Sequence, residues 1–169
     1  MLRFVACLLV LAVCIACNPP EQGALPGVPV RPAPDFTLKT LEGDSLQLSA
    51  LMGRTVLLNF WATWCTPCLQ EMPMLAQLHR EWEERGVTVL GISLDHGDTE
   101  IITHYTNRLG IPYPILLGSD AVATAYQVIA LPATYVIDTN GMITNHITGL
   151  VNIEELEAVL NSQLKSQIQ

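Results

Sequence analysis

Residues 55–68 read TVLLNFWATWCTPC, and residues 69–85 continue LQEMPMLAQLHREWEER. Thr55–Trp61 is an apolar run that suits a strand covered on both faces. From Pro67 to Arg85, Leu69, Met72, Leu75, Leu78 and Trp82 recur at helical spacing, and Gly86 supplies the stop. Cys65 and Cys68 fall where the strand gives way to the helix. C-x-x-C in that context marks a redox-active pair.

The chemistry follows from the position. The thiolate attacks a disulfide, not the thiol. A sulfur at a helix start meets free backbone N–H groups and the positive end of the macrodipole, which favour its anion. Cys65 is therefore the expected nucleophile. Cys68, three residues on, lies on the same face and is the expected resolving thiol. Pro67 stiffens the first turn, where a missing N–H costs nothing. Trp64 offers apolar surface beside the pair, although plain packing accounts for it equally well. Pro73 removes one helix hydrogen bond and is expected to kink the helix beyond the site. A purely structural bridge would close a tiny loop and gain little entropy. A zinc site needs about four ligands; the other C-x-x-C, Cys14 to Cys17, lies in the apolar N-terminal segment, and the sequence has no H-x₃-H.

Working outward, PDFTLKTLEGDSLQLSAL predicts a β-hairpin with strands near Asp35–Leu38 and Ser45–Leu48. Val87–Ser93 predicts a second buried strand. Asp98 can cap a helix running to about Leu109, with Ile101, Ile102 and Tyr105 inward and Gly110 closing it. IPYPILLG, residues 111–118, reads as an extended connector, and Asp120–Tyr126 as a short helix. ATYVID and MITNHIT form two strands joined through Asn140-Gly141, a strong hairpin signal. Asn152 caps a last helix with Glu155 three residues on; Ile153, Leu156, Val159 or Leu160, and Leu164 make its buried stripe. Buried strands separated by helices imply βαβ crossovers and a sheet covered on both faces.

The first residues read MLRFVACLLVLAVCIAC. One basic residue, Arg3, precedes an apolar run too short to span a bilayer, which needs about 20 residues, but of the length of a signal-peptide core. The chain that follows, NPPEQGALPGVPVRPAP, holds too many prolines for a helix or a sheet interior. The junction resembles the lipobox of bacterial lipoproteins, with Ala16 before an acylated Cys17. Cys14 departs from the usual Leu, Val or Ile of that box, and plain secretion without lipid is the alternative. The expected organisation is a lipoprotein signal peptide over 1–16, a Pro-rich tether over 17–33 beginning at lipidated Cys17, and a folded domain over 34–169. At about 3.1 Å per residue the tether reaches roughly 50 Å. Asn18 lies where such lipoproteins often carry an Asp for inner-membrane retention. Of the five cysteines, Cys7 and Cys14 leave with the signal and Cys17 carries lipid, so Cys65 and Cys68 remain as one pair. The net charge of −8, without a basic cluster, disfavours nucleic acid as a partner.

NFWATWCTPCLQEMP resembles the active-site signature of bacterial extracytoplasmic thioredoxin-like proteins of the TlpA, ResA and CcmG type. The likeness runs from about Pro34 to Leu164. It includes the PDFTL hairpin, an extra βα stretch near Val87–Tyr126 inserted relative to plain thioredoxin, and YQVIALPATYVIDTNGMI. It implies an α/β thioredoxin-like fold: a central mixed β-sheet with helices on both faces, an N-terminal β-hairpin and the βα insertion. Pro132 alone is compatible with a trans turn; the resemblance implies a cis Leu131-Pro132 bond beside the cysteines, in a loop whose backbone pairs with bound substrate. Ala130 stands where the family often has Gly. Trp64, Thr66, Pro67, Leu131 and Pro132 are the implied substrate contacts. Glu71 is compatible with a solvated helix face; the resemblance implies a partly buried acid that exchanges protons with Cys68 or raises thiol pKa values. Asn59 replaces the buried strand Asp of thioredoxin.

The implied activity is that of a thiol–disulfide oxidoreductase reducing protein disulfides outside the cytoplasm, with cytochrome c maturation a frequent context. An integral-membrane thiol carrier is the implied electron donor, and no cofactor is needed beyond the Cys65–Cys68 pair. Two alternatives belong to other classes. A Cu(I) metallochaperone of this fold uses C-x₃-C plus a His. A peroxidase uses Pro-x₃-Thr-x₂-Cys. Neither pattern occurs here. His79 is expected at the surface, and His96, His104 and His146 show no ligand spacing. Met72 and Met74 are expected in the core, and Glu81, Glu83, Glu84, Arg80 and Arg85 on a solvated helix face.

Overall fold

The computed structural model describes residues 30–97 and 99–166. The signal segment, Cys17, most of the tether and the Asp98 cap lie outside the described residues. Along the chain come β1 (Arg31–Pro32), β2 (Thr37–Lys39), β3 (Ser45–Gln47), β4 (Thr55–Trp61), α1 (Thr66–Trp82), β5 (Val87–Ser93), α2 (Thr99–Leu109), β6 (Ile115–Leu117), α3 (Asp120–Tyr126), β7 (Ala133–Ile137), β8 (Met142–Thr148) and α4 (Ile153–Ser166). Short 3-10 turns occupy Leu48–Leu51 and Glu83–Arg85.

The main sheet has the order β1-β8-β7-β4-β5-β6, and β2 and β3 form a separate hairpin. β4 is parallel to β5 and antiparallel to β7. It is buried throughout, as its unbroken apolar run requires. Strand alternation divides the core. Leu57 and Trp61 pack with Met72, Leu75, Leu78 and Trp82 of α1, Ile102 of α2, and Leu156 and Leu160 of α4. Val56, Leu58 and Phe60 turn the other way, towards Phe36, Leu48 and Tyr126 of the hairpin and α3 side. Helices thus cover both faces of a mixed sheet, as in the expected thioredoxin-like fold.

Several local expectations are corrected. Residues 115–117 of the supposed connector are β6, paired parallel to β5 from Gly91↔Ile115. Pro112 and Pro114 disguise it, because neither donates to a ladder; yet the Pro114 carbonyl accepts from Gly91 N at 3.0 Å, and the strand begins immediately after. Arg31 and Pro32, inside the expected tether, pair with Ile143 and Met142. The proline is accommodated because β1 is an edge strand. Ile101 is exposed, whereas Ile102 and Thr106, one turn apart, form the buried line of α2. Met74 lies off the buried stripe of α1 and is exposed. His79 is only 6% exposed. It follows Leu75 by four residues on the inner face and packs edge-on against Tyr113. Helix α1 continues unbroken through Pro73.

The end caps follow the sequence. Asn152 Oδ1 accepts from Glu154 N at 3.0 Å and Glu155 N at 3.3 Å at the start of α4. Asp138 Oδ1 accepts from Asn140 N and Met142 N at 2.9 and 2.8 Å, closing the β7–β8 turn, in which Gly141 adopts φ +78°.

Candidate active site

Cys65 is the N-cap of α1, with extended backbone, and its sulfur accepts from Cys68 N at 3.3 Å. No acidic side chain lies in the first turn, so nothing there offsets the positive helix end. Cys65 and Cys68 are joined as a disulfide. Cys65 is 6% exposed and Cys68 1%. Thr66 and Pro67 are exposed beside them, and the Trp64 indole is 71% exposed. Trp64 therefore does not pack into the core.

Glu71, one turn beyond Cys68, has no exposed surface. Its Oε1 accepts from Asn59 Nδ2 at 2.6 Å and its Oε2 from Val151 N at 2.9 Å. Asn59 donates also to Thr134 Oγ1 at 3.0 Å. Burial pushes the Glu71 carboxyl up from 4.5 to about 7, against the lowering pull of the Val151 N–H and the Asn59 amide. The solvated alternative for this residue is excluded, and the carboxyl is poised to gain or lose a proton near neutrality.

The Leu131-Pro132 bond is cis. Ala133 lies opposite Phe60, so Pro132 sits at the end of the sheet from which β4 runs on to Cys65. Pro132 O accepts from Gly149 N at 2.8 Å. Pro132 is buried and Leu131 half-buried, while Ile129 in the same loop is 91% exposed. The cysteine pair and the Leu131-Pro132 loop thus lie at the same end of the sheet.

Two elements escaped the sequence. Val151 N, which fixes Glu71, is a backbone group in the loop before α4 and carries no side-chain signal. Asp95, beyond β5, accepts from Thr63 N and Thr63 Oγ1 two residues before Cys65. A non-local carboxylate of this kind is visible only once the strands are paired. Among the described residues, no group of three or more His, Cys, Asp and Glu side chains is placed to hold a metal ion.

A mixed sheet with a C-x-x-C pair at a helix start, beside a cis-proline loop, defines a thioredoxin-like thiol–disulfide oxidoreductase. The chain belongs to the AhpC/TSA family, which matches residues 29–146. It is 39% identical over 132 residues to the thiol-disulfide oxidoreductase ResA of Geobacillus kaustophilus, covering 77% of this chain and 75% of that protein. Among solved structures it resembles a thioredoxin-family thiol:disulfide interchange protein of Chlorobium tepidum, with TM-score 0.73, 27% identity, and coverage of 82% of this chain and 99% of that one. It also resembles a secreted Mycobacterium tuberculosis disulfide oxidoreductase homologous to E. coli DsbE, with TM-score 0.65, 26% identity, and coverage of 75% and 95%. The protein is a thiol–disulfide oxidoreductase of the ResA and DsbE kind.

Proposed function

We propose that the enzyme works as a reductant of protein disulfides outside the cytoplasm, with Cys65 as nucleophile and Cys68 as resolver. The observation that carries these roles is the Cys68 N–H donated to Cys65 Sγ at the helix start. Once the pair is reduced, that N–H and the helix end favour a thiolate on Cys65. The thiolate attacks a substrate disulfide, forms a mixed disulfide and releases one substrate sulfur, which takes up a proton. Cys68 then loses its proton and attacks Cys65 Sγ. The Cys65–Cys68 disulfide reforms, and the second substrate sulfur leaves as a thiolate and is protonated. Two electrons and two protons reach the substrate. Glu71, buried and near its own titration point, suits the role of acceptor for the Cys68 proton. Trp64, Thr66 and Pro67 on one side and Leu131 and Pro132 on the other are the assigned substrate contacts.

The N-terminal sequence assigns the setting: signal 1–16, lipid on Cys17, and a tether from 17 to the first paired residue, Arg31. The secreted relative supports export. No helix among the described residues is long and apolar enough to cross a membrane. An integral-membrane thiol carrier then supplies electrons, and haem-binding thiols of apocytochrome c are a substrate class that fits. The peroxidase alternative remains disfavoured: counting back from Cys65, Ala62 and Leu58 stand at its Thr and Pro places. The copper alternative gains no His beside the pair.

The deciding experiment uses Cys68→Ala in the native host. Mixed disulfides on Cys65 should accumulate with extracytoplasmic proteins, and Cys65→Ser should abolish both trapping and insulin reduction. A potential near about −270 mV fits a reductant, whereas one near about −120 mV marks an oxidant and overturns the direction.

A further inference from the structure

The reactive turn between β4 and α1 is held from outside by a carboxylate. Within the turn, Cys65 N donates to Ala62 O at 3.1 Å. Thr63, 8% exposed, turns both its polar hydrogens to Asp95. Its N–H reaches Asp95 Oδ2 at 3.0 Å and Oδ1 at 3.2 Å, and its Oγ1 donates to Oδ1 at 2.7 Å. Asp95 is fixed in turn by Ser93, whose buried Oγ donates to Oδ2 at 2.7 Å and accepts from Asp95 N at 3.1 Å. Just before it, Leu94 N donates to Trp61 O at 2.8 Å, which extends the β4–β5 pairing to the foot of the turn. Among the described residues, the donors aimed at this carboxylate come from the two strand ends that carry the site. Such charge-assisted bonds are the stronger kind.

We propose that Asp95 is a positioning residue of the redox site, which clamps Thr63, two residues before Cys65, and so the Cys65 sulfur, and sets a negative charge at the foot of the reactive turn. The inference rests on the proposed reductive role and deepens it. A helix start by itself stabilises the thiolate, and a stabilised reduced form makes an oxidant. A carboxylate at the foot of the nucleophile's turn acts in the opposite sense and keeps the dithiol a better electron donor. Glu71 of α1 adds to that effect when ionised, and Cys68 is a further titratable group in the turn; His96, next to Asp95 in sequence, faces Asp120 of α3 at 3.7 Å.

The test follows Cys65 directly, whichever way electrons flow in the cell, so its failure is distinct from failure of the reductase role. Reduced protein is alkylated with iodoacetamide across pH, and the disulfide is equilibrated with glutathione at a pH where the thiolate prevails. Asp95→Asn should move the Cys65 profile about one pH unit lower, giving about tenfold more thiolate, and should shift the glutathione equilibrium a comparable factor towards the dithiol. Asp95→Glu, which retains the charge, should restore the parent profile. Thr63→Val removes one clamp bond and keeps the charge. It should leave the profile in place but slow insulin reduction several-fold. If Asp95→Asn folds poorly, the double variant Thr63→Val/Asp95→Asn removes the mismatched donor and should show the same shift. An unchanged Cys65 profile in a folded Asp95→Asn or double variant overturns the charge role, and parental insulin reduction by Thr63→Val overturns the clamp.

Discussion

Glu71 Oε1 accepts from Asn59 Nδ2 at 2.6 Å, so a helix acid and a strand amide meet inside the core directly behind the redox pair. That contact does not compensate for burial, and the Glu71 carboxyl is raised from 4.5 to about 7. The native state therefore holds this proton more tightly than the unfolded chain. Stability should fall as pH rises from about 4.5 to 7, by on the order of 3 kcal/mol, and level off above. Glu71→Gln should flatten that slope in urea denaturation followed from pH 4 to 8. It should not gain the full amount, because both partners of Glu71 are donors and the Gln amide nitrogen can satisfy neither. An unaltered slope would place the ionisation elsewhere.

His79 gives the opposite limb. Burial lowers its affinity for a proton, against the pull of Glu83, whose Oε2 lies 3.4 Å from His79 Nε2. The neutral imidazole is favoured in the native state, so its contribution is present above its ordinary value of 6.5 and is lost as pH falls below that. His79→Phe should remove the acid-side loss that sets in below pH 6.5 while retaining the edge-on contact with Tyr113. A variant as acid-sensitive as the parent refutes this.

The two groups also show how far the sequence could be read. The periodicity of α1 gave a stripe from Leu69 to Trp82, and the C-x-x-C spacing placed both sulfurs at its start. Both rest on local physics, and both recur in the structure. His79 was misplaced because polarity was weighed above helical position, although it continues the line of Leu75. Strand β6 was hidden because the two prolines just before it, Pro112 and Pro114, mimic a loop. Glu71 was compatible with water or core until tertiary packing brought Asn59 and Val151 to it. Asp95 had no local signal, since its partner Thr63 is remote in sequence and becomes adjacent only through the parallel β4–β5 pairing.

Trp64 should matter to partners and not to folding. Its indole is 71% exposed next to Cys65, so Trp64→Ala removes little buried surface and should leave the melting temperature within about 1 °C. Reduction of a protein substrate should lose about three- to tenfold in kcat/KM, through KM, as expected for loss of an aromatic contact. Reduction of a small disulfide such as oxidised glutathione should change much less. Equal losses on both substrates would mean that Trp64 acts on the sulfur and not on docking.

Gly118 tests whether the far side of the site is as tightly built as its bonds suggest. Its N–H donates to Ser93 O at 2.8 Å, and a Cβ at this position would lie 2.5 Å from that same oxygen. The obstacle is backbone, pinned at the end of the strand that closes on Ser93 two residues before Asp95, and cannot swing away. At Gly91 a Cβ would instead meet Ile115 Cδ1 at 2.7 Å, the end of a flexible side chain, with Trp61 Nε1 and Tyr113 Cε2 at 3.2 Å. Gly118→Ala should therefore cost about 3 kcal/mol and Gly91→Ala about 1 kcal/mol, since overpacking is worst where nothing can yield. Urea denaturation at one pH measures both. Displacing the Ser93 carbonyl also pulls on Asp95, so Gly118→Ala, where folded, should slow insulin reduction more than Gly91→Ala does. If the two variants are equally stable, the close approach of β6 to the end of β5 is not a rigid feature of the fold.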